Sequence, residues 1–378
     1  MNYTNFKGKK LSKLGFGTLR LPEKRKGELD FGQIQQMVDC AMEGGVNYFD
    51  TAYSYGNEQA EKALGQALSG YPRESYYLAD KIPTWKCREK SDVGKIFDEQ
   101  LRRCRTEYFD FYLIHSVKEH RYEDIEKFSV MEYLKEEKER GRIRHIGASA
   151  HCGPDLLRKM LASYEELEFI QLQINYMDWE YFQAGELYRI AEEFEKPVFV
   201  MEPLRGGMLA DPVSREARRI LDEAGTGASY ASLAMRFVAE LSAVAVVLSG
   251  VSDLSQLKEN IRIFANPVLT QRERQCVRKA VSALQADILI PCTSCDYCSG
   301  CPAGIPISQI FKTYNEAAAW DFHRPWKSLS GQYRTFSKNG RDCIRCGKCQ
   351  SHCPQNIPII DRLAMIDKKY AQLAREGK

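Results

Sequence analysis

Eight of the 13 cysteines fall between residues 292 and 353. They form two runs, Cys292-x2-Cys295-x2-Cys298-x2-Cys301-Pro302 and Cys343-x2-Cys346-x2-Cys349-x3-Cys353-Pro354. Spacing of three wraps backbone around a 4Fe-4S cubane so that three thiolates reach three irons, and the fourth cysteine, followed by proline, completes the other cluster. On that logic Cys292, Cys295, Cys298 and Cys353 hold one cluster, and Cys343, Cys346, Cys349 and Cys301 hold the second. The first run is one residue shorter before its last cysteine. The alternative is a pair of four-cysteine zinc sites, which use separated Cys-x2-Cys pairs; unbroken runs ending in Cys-Pro favour iron–sulfur. The other five cysteines (Cys40, Cys87, Cys104, Cys152, Cys276) are scattered. An odd total argues for thiols and metal ligands in a reducing compartment over disulfides.

A second set of residues suits proton transfer. Asp50, Lys81 and His115 each end a short β-like run, and Tyr55 lies just after the first of these. Singly, each has a bland reading: a helix cap, a surface aromatic, a solvated charge, a satisfied strand-end histidine. Together they form a proton-donating set. Hydride arrival at a carbonyl carbon creates an alkoxide that needs a proton. A tyrosine of pKa about 10 is a poor acid near neutrality, and a neighbouring ammonium lowers it. Lys81 can supply that charge, Asp50 can hold Lys81 protonated and in place, and His115 can orient the carbonyl oxygen.

The elements that must position these residues alternate. Runs that read as strands are Lys13–Thr18, Asn47–Thr51, Tyr76–Lys81, Phe109–His115, Ile143–Ser149, Phe169–Asn175, Val198–Leu204 and Ala243–Gly250. Helix-like stretches lie between and after them, from Gln33–Glu43 to Leu254–Ile263. Strict alternation implies parallel strands with helical crossovers, and eight units in about 250 residues is the size of a (β/α)8 TIM barrel, whose chemistry sits at the strand ends. An open doubly wound sheet is disfavoured because no Gly-x-Gly-x-x-Gly follows the first strand. Beyond Ile263 one more helix, Thr270–Ala286, reads as a link. Cys301-Pro-Ala-Gly-Ile-Pro-Ile and Cys353-Pro-Gln-Asn-Ile-Pro-Ile then repeat, each followed by a helix-like stretch (Ser308–Trp320, Asp361–Arg375). The expected organisation is a barrel over 1–268, a helical linker over 269–290 and a small, mainly α-helical dicluster domain over 291–378.

Composition narrows the function classes. Hydrophobic residues at 44% support a large core, and 54 Lys and Arg against 51 Asp and Glu leave a net charge of +3. With no long basic block, a nucleic-acid partner is not expected. No uninterrupted apolar run reaches about 18 residues, and the start has no apolar stretch like a signal peptide's. A membrane partner is not expected either, and the expected location is cytoplasmic.

Leu14-Gly-Phe-Gly-Thr, Asn47-Tyr-Phe-Asp-Thr-Ala-Tyr-Ser-Tyr-Gly, Leu113-Ile-His, Gly141-Arg-Ile-Arg-His-Ile-Gly-Ala-Ser and Glu202-Pro-Leu-Arg-Gly-Gly-Met-Leu together resemble the aldo-keto reductase family across the whole barrel. The C-terminal part resembles the extension of members that carry a ferredoxin-type 4Fe-4S domain. With 41 residues and a helix between Cys301 and Cys343, it looks like an α-helical ferredoxin. The resemblance implies NADPH or NADH and two 4Fe-4S clusters as cofactors, a small carbonyl or alcohol substrate, and an electron-transfer partner protein. It maps the family's catalytic tetrad onto Asp50, Tyr55, Lys81 and His115. It also implies cofactor contacts at Ser149 and Gln171 (carboxamide), Leu204, Gly206, Ser249, Ser252, and Glu259 with Asn260 (adenine side). This chain departs from the pattern in several places. Ala150 replaces an asparagine, Met201 stands where many members stack a tyrosine, and Gly250 and Gln256 replace basic residues that grip the 2′-phosphate.

Other rim residues carry weaker signals. Cys87, Cys152 and His151 read as loop residues before ligands, and Trp85, Tyr176 and Trp179 as pocket lining or loop packing. Arg205 reads as a partner for a carboxylate or phosphate, or as packing. Three readings follow: a carbonyl oxidoreductase with attached single-electron centres, an iron–sulfur-driven enzyme on an unusual substrate, and a nucleotide-binding redox sensor without turnover. A pure binder has no need of the Lys81–Tyr55 acid, which disfavours the last.

Overall fold

The computed structural model describes residues 1–25, 27–181, 183–212, 214–287, 289–320, 333 and 335–375. The chain divides into two compact units: Met1–Pro203 with Met235–Leu269, and Leu204–Ala234 with Thr270–Lys378. The segment 204–234 therefore groups with the C-terminal cysteines, although it lies inside the stretch expected to form the barrel.

The first unit opens with a hairpin of β1 (Tyr3–Phe6) and β2 (Lys9–Ser12), joined by Lys7 and Gly8 at φ 48° and 83°. Two positive-φ residues match the twist that flanking strands require. This hairpin is absent from the sequence reading because Tyr3–Phe6 is polar but for its aromatic ends. Next come β3 (Leu14–Gly17) and a small hairpin of β4 (Glu23–Arg25) and β5 (Glu28–Leu29). The remaining strands are β6 (Tyr48–Asp50), β7 (Tyr77–Ile82), β8 (Phe109–Val117), β9 (Ile143–Ala150), β10 (Phe169–Gln173), β11 (Val198–Met201) and β12 (Val244–Ser249). β3 and β6 to β12 close an eight-stranded parallel barrel, as the alternation predicts.

Every barrel strand after β3 follows a helix, and these helices bury an apolar stripe. The helix Phe31–Glu43 is typical: Asp30 caps it by accepting the Gln33 N–H at 3.1 Å, and Ile34, Met37, Val38 and Ala41 are its buried face. That i, i+3, i+4, i+7 pattern is what a 3.6-residue period buries. Inside the barrel, Tyr48, Phe111, Phe169 and Phe199 form an aromatic layer. Phe6 from the hairpin plugs it, 5.3 Å from Phe111 and 5.8 Å from Phe199 between ring centroids. Gly147 is glycine because a Cβ there would sit 2.5 Å from the Phe169 ring. Truncating Phe111 or Phe199 to alanine would cost about 3–5 kcal/mol.

In the second unit all regular structure among the described residues is helical. Helix Gln271–Asp287 starts with a reciprocal cap between Thr270 and Glu273. Helices Ile307–Trp320 and Ile359–Arg375 follow the two cysteine runs, and Ile305, Ile307, Ile310, Phe311, Ile357 and Leu363 share one core. No helix among the described residues is long and apolar enough to cross a membrane.

Candidate active site and cysteine sites

Strand period two places the polar residues. Side chains alternate across a strand, so residues two beyond the last core-facing residue of each strand also point into the barrel, nearer the C-terminal rim. From Tyr48, Ala79, Leu113, Phe169 and Phe199 in the core, that step reaches Asp50, Lys81, His115, Gln171 and Met201; from Gly147 it reaches Ser149. A ring of chemistry-bearing side chains thus sits on the apolar layer, as expected in a barrel of this kind.

Lys81 is fully buried and Asp50 nearly so, and Lys81 Nζ donates to Asp50 Oδ1 at 2.6 Å and to the Thr51 carbonyl at 2.8 Å. Gln171 Nε2 donates to Asp50 Oδ2 at 3.3 Å from across the barrel. Burial pushes the Asp50 carboxyl up, and the Lys81 ammonium and Gln171 amide pull it back. Tyr55 lies in the turn after β6, followed by positive-φ residues at Gly56, Asn57 and Glu58. Its ring centroid is 5.1 Å from Lys81 Nζ and 5.9 Å, edge-on, from the His115 ring. His115 sits where the β8–β9 register slips between Ile114 and Val117, with Ser116 at φ 54°; such irregularities re-aim side chains beside active sites. Burial first, then Lys81, His151 and Arg121, hold His115 well below the usual imidazole range. It is neutral at pH 7, with Nδ1 unbonded among the described residues. All four residues expected to act together are therefore in one place.

A support network behind Lys81 escaped the sequence reading. Asp80, on the opposite face of β7, accepts the Lys81 N–H at 2.8 Å and a bond from Gln100 Nε2 at 2.8 Å; Gln100 also bonds the Lys81 carbonyl at 3.0 Å. Burial and neighbouring Glu61 push the Asp80 carboxyl well up, and Glu61 is tied to Arg103 at 2.8 Å. This network clamps the backbone on both sides of Lys81 to the helices Ala60–Leu68 and Ser91–Cys104. The available signal was Asp80 itself, an acid adjacent to Lys81 at an outward position. The rim also holds Trp85, whose ring lies 5.0 Å from His115 and 4.6 Å from the Arg121 guanidinium.

The cysteine runs repeat in backbone as well as in sequence. Ser294 and Arg345 have φ 51° and 54°, Asp296 and Gly347 have 59° and 76°, and Gly304 and Asn356 have 71° and 49°. Left-handed residues among right-handed ones turn successive N–H groups to one side, making an anion-binding concavity used at iron–sulfur sites; Ser294 N–H donates to Cys292 Sγ at 3.4 Å. Cys292, Cys295, Cys298 and Cys353 line one cavity, backed by Ile307 and Ile357. In the other site the half-buried Cys349 thiol has Cys301 and Cys343 beside it. Four thiols lining one cavity, with the Ser294 N–H turned onto Cys292, suit a 4Fe-4S group in the first set.

Residues 13–281 match the aldo/keto reductase family, which is more than half of the chain. The protein is an aldo/keto reductase family member. Residues 291–357 match a 4Fe-4S dicluster domain. Curated relatives include an NADH-specific methylglyoxal reductase of Escherichia coli, 27% identical over 324 residues (73% of this chain, 96% of the relative). Another is an uncharacterized oxidoreductase of Bacillus subtilis, 25% identical over 295 residues (70% and 90%). Among solved structures, the holo form of an aldo-keto reductase from Bacillus halodurans has TM-score 0.61 and 26% identity, covering 72% of this chain and 93% of its own.

Within this aldo/keto reductase the expected cofactor residues fall into groups. Ser149 and Gln171 are buried in the polar ring, and Ser149 Oγ is 3.9 Å from Met201 Sδ. Asn260 Nδ2 donates to Ser249 Oγ at 2.9 Å. Ser252 is exposed and its N–H donates to Gln256 Oε1 at 3.1 Å; Glu259 lies on the same helix, Leu254–Ile263. Leu204 and Gly206 belong to the C-terminal unit, where a Cβ on Gly206 would lie 1.8 Å from the Thr293 carbonyl oxygen. Arg205, expected as a ligand contact or packing residue, is fully buried in that unit and donates to the Pro291 carbonyl at 3.4 Å. Burial pushes the Cys87 and Cys152 thiols up to about 11 and 12, which disfavours the reactive thiolate. Tyr176 and Trp179 pack against Phe237.

Proposed function

We propose that the barrel reduces or oxidises a small carbonyl/alcohol substrate with NADPH or NADH, with Tyr55 as proton donor, and that the C-terminal unit carries two 4Fe-4S clusters that pass single electrons. The nicotinamide supplies the hydride, and the clusters supply one-electron capacity. Everything else falls to side chains of this chain. Tyr55 Oη gives its proton to the carbonyl oxygen as negative charge develops there. The Lys81 ammonium, held by Asp50 at 2.6 Å, favours the tyrosinate left behind. Neutral His115 donates an N–H to the same oxygen and fixes the carbonyl's orientation, and a neutral donor does this without competing for the proton. Ser149 and Gln171 hold the carboxamide, and Glu259 with Asn260 the adenine side. The single observation that carries the reading is the buried Lys81–Asp50 pair placed 5.1 Å from the Tyr55 ring, since an unused buried ion pair costs stability.

The grip on a 2′-phosphate is weak in this reading. Gly250 offers no side chain and Gln256 is engaged with Ser252. Arg20, whose Nη1 lies 3.6 Å from where a Gly250 Cβ would be, is paired with Glu202 at 2.8 Å. The E. coli relative is described as NADH-specific, in line with this. Anaerobic titration of the iron-loaded protein with NADPH and with NADH, read at the iron–sulfur absorbance, tests both halves. Bleaching by either nucleotide at similar concentrations is expected. No bleaching by either would separate the clusters from the nicotinamide route, and a strong preference for NADPH would mean that other cations hold the phosphate.

A further inference from the structure

The two cysteine loops share a backbone and differ in what covers them. In the first loop Thr293 is 2% exposed, and the segment around Gly206 packs directly on its carbonyl. Buried Arg205 bonds the carbonyl just ahead of Cys292. In the second loop the position equivalent to Thr293 is Ile344, which is 66% exposed, more than any other large hydrophobic side chain described. Cys346 is the one exposed cysteine of the eight. An isoleucine held open at the tip of a cysteine loop gains stability when a partner covers it, and nothing among the described residues of the C-terminal unit does so.

Charge separates the loops as well. Residues 291–301 contain Asp296 and no lysine or arginine, whereas the equivalent residues 342–353 contain Arg345 and Lys348 against Asp342, which answers Lys338 at 3.0 Å. Asp367 answers Arg341 at 2.9 Å, and Asp361 approaches Arg345 at 3.7 Å with both side chains largely exposed. Lys348 adds an exposed cation two residues after the exposed Cys346. An exposed apolar tip on a loop whose Arg345 and Lys348 are also exposed is complementary to an acidic surface, and such charge steers encounter without needing a large interface. Electron transfer weakens steeply with distance, so an exposed ligand marks the edge at which a carrier can approach closely.

We infer that the loop Cys343–Cys349, centred on Ile344 and Arg345, is the docking surface for a small acidic one-electron carrier protein of the ferredoxin kind. This rests on the reading that Cys343, Cys346, Cys349 and Cys301 hold a 4Fe-4S cluster. The step is simple: the reduced carrier loses one electron, the cluster on this loop gains one, and no proton or bond is exchanged. The covered first loop takes no part in docking.

The test uses the full-length, iron-loaded protein under anaerobic stopped flow, with a chemically reduced acidic 2[4Fe-4S] ferredoxin as one donor and reduced methyl viologen as the other. Ile344→Asp/Arg345→Glu is expected to lower the second-order rate with ferredoxin about tenfold or more at low ionic strength. Iron and sulfide content and the viologen rate should not fall. Lys348→Glu should show a smaller loss, Lys62→Glu on the barrel none, and added salt should slow the wild type towards the variants. A ferredoxin rate equal in wild type and Ile344→Asp/Arg345→Glu, or a wild type that accepts electrons from viologen but not from ferredoxin, overturns the docking surface. Failure of viologen to reduce the wild type would instead remove the cluster reading, and the docking surface with it.

Discussion

Replacing Lys81 by methionine removes one half of a buried pair. Asp50, 3% exposed, would keep only the 3.3 Å bond from Gln171. Burial already pushes its carboxyl up, and the main opposing influence is gone. The variant's cheapest response is to protonate Asp50. From an ordinary value of 3.8, holding a proton at pH 7 costs about 1.36 kcal/mol per pH unit, or about 4 kcal/mol. That falls within the 3–5 kcal/mol expected when one partner of a buried pair is lost. The sign is fixed: a raised carboxyl keeps its stability below about pH 3.8 and loses it as the pH rises towards the folded value. The penalty should therefore shrink to about 1.6 kcal/mol at pH 5. Urea unfolding of the full chain at pH 7 and pH 5, followed through the barrel transition, reads both numbers. Asp50→Asn/Lys81→Met, which leaves no buried charge, should recover most of the loss while activity stays low, because Tyr55 has lost its cation. A penalty equal at both pH values, or no recovery in the double variant, would refute the account of the pair. In Lys81→Met the basic limb of the activity profile should also move up; an unmoved limb would make Lys81 a structural charge only.

Tyr55→Phe should lower kcat by about 10²–10⁴ with nicotinamide affinity little changed; near-full carbonyl reductase activity would remove its role as the acid. Cys301→Ala should damage the cluster on Cys343, Cys346 and Cys349 and leave the Cys292 set intact in low-temperature electron paramagnetic resonance. Damage confined to the Cys292 set would overturn the crossed assignment. His151, part-buried at the rim, is pushed down to about 3 by burial, then by Lys118 and Arg121. Its contribution to stability is complete above about pH 6.5 and is lost as the pH falls below that, by at most about 1.4 kcal/mol per unit. His151→Gln should flatten that acid limb in urea unfolding between pH 6.5 and 5, and an unchanged slope would place its titration elsewhere.

Much of this was legible without coordinates because it is local or periodic. Alternating strand and helix periods are properties of short windows, so the barrel and its order could be read directly from the chain. The step of two from Tyr48 to Asp50 and from Leu113 to His115 is likewise a property of a single strand. The Cys-x2-Cys spacing is a local ruler for a cubane. Only tertiary structure decided the partners and the cover. Asp80 reads as one more strand acid until Gln100 and Glu61, from two other helices, make it the clamp on Lys81. Arg205 was open to a ligand role at the rim, and Gly206 to a cofactor contact. The fold buries Arg205 against the Pro291 carbonyl and sets Gly206 close to Thr293, because the segment 204–234 groups with residues far along the chain. Thr293 and Ile344 occupy the same place in a repeated loop, yet one is covered and the other bare. Burial depends on what arrives from a distance, and no window of sequence contains that.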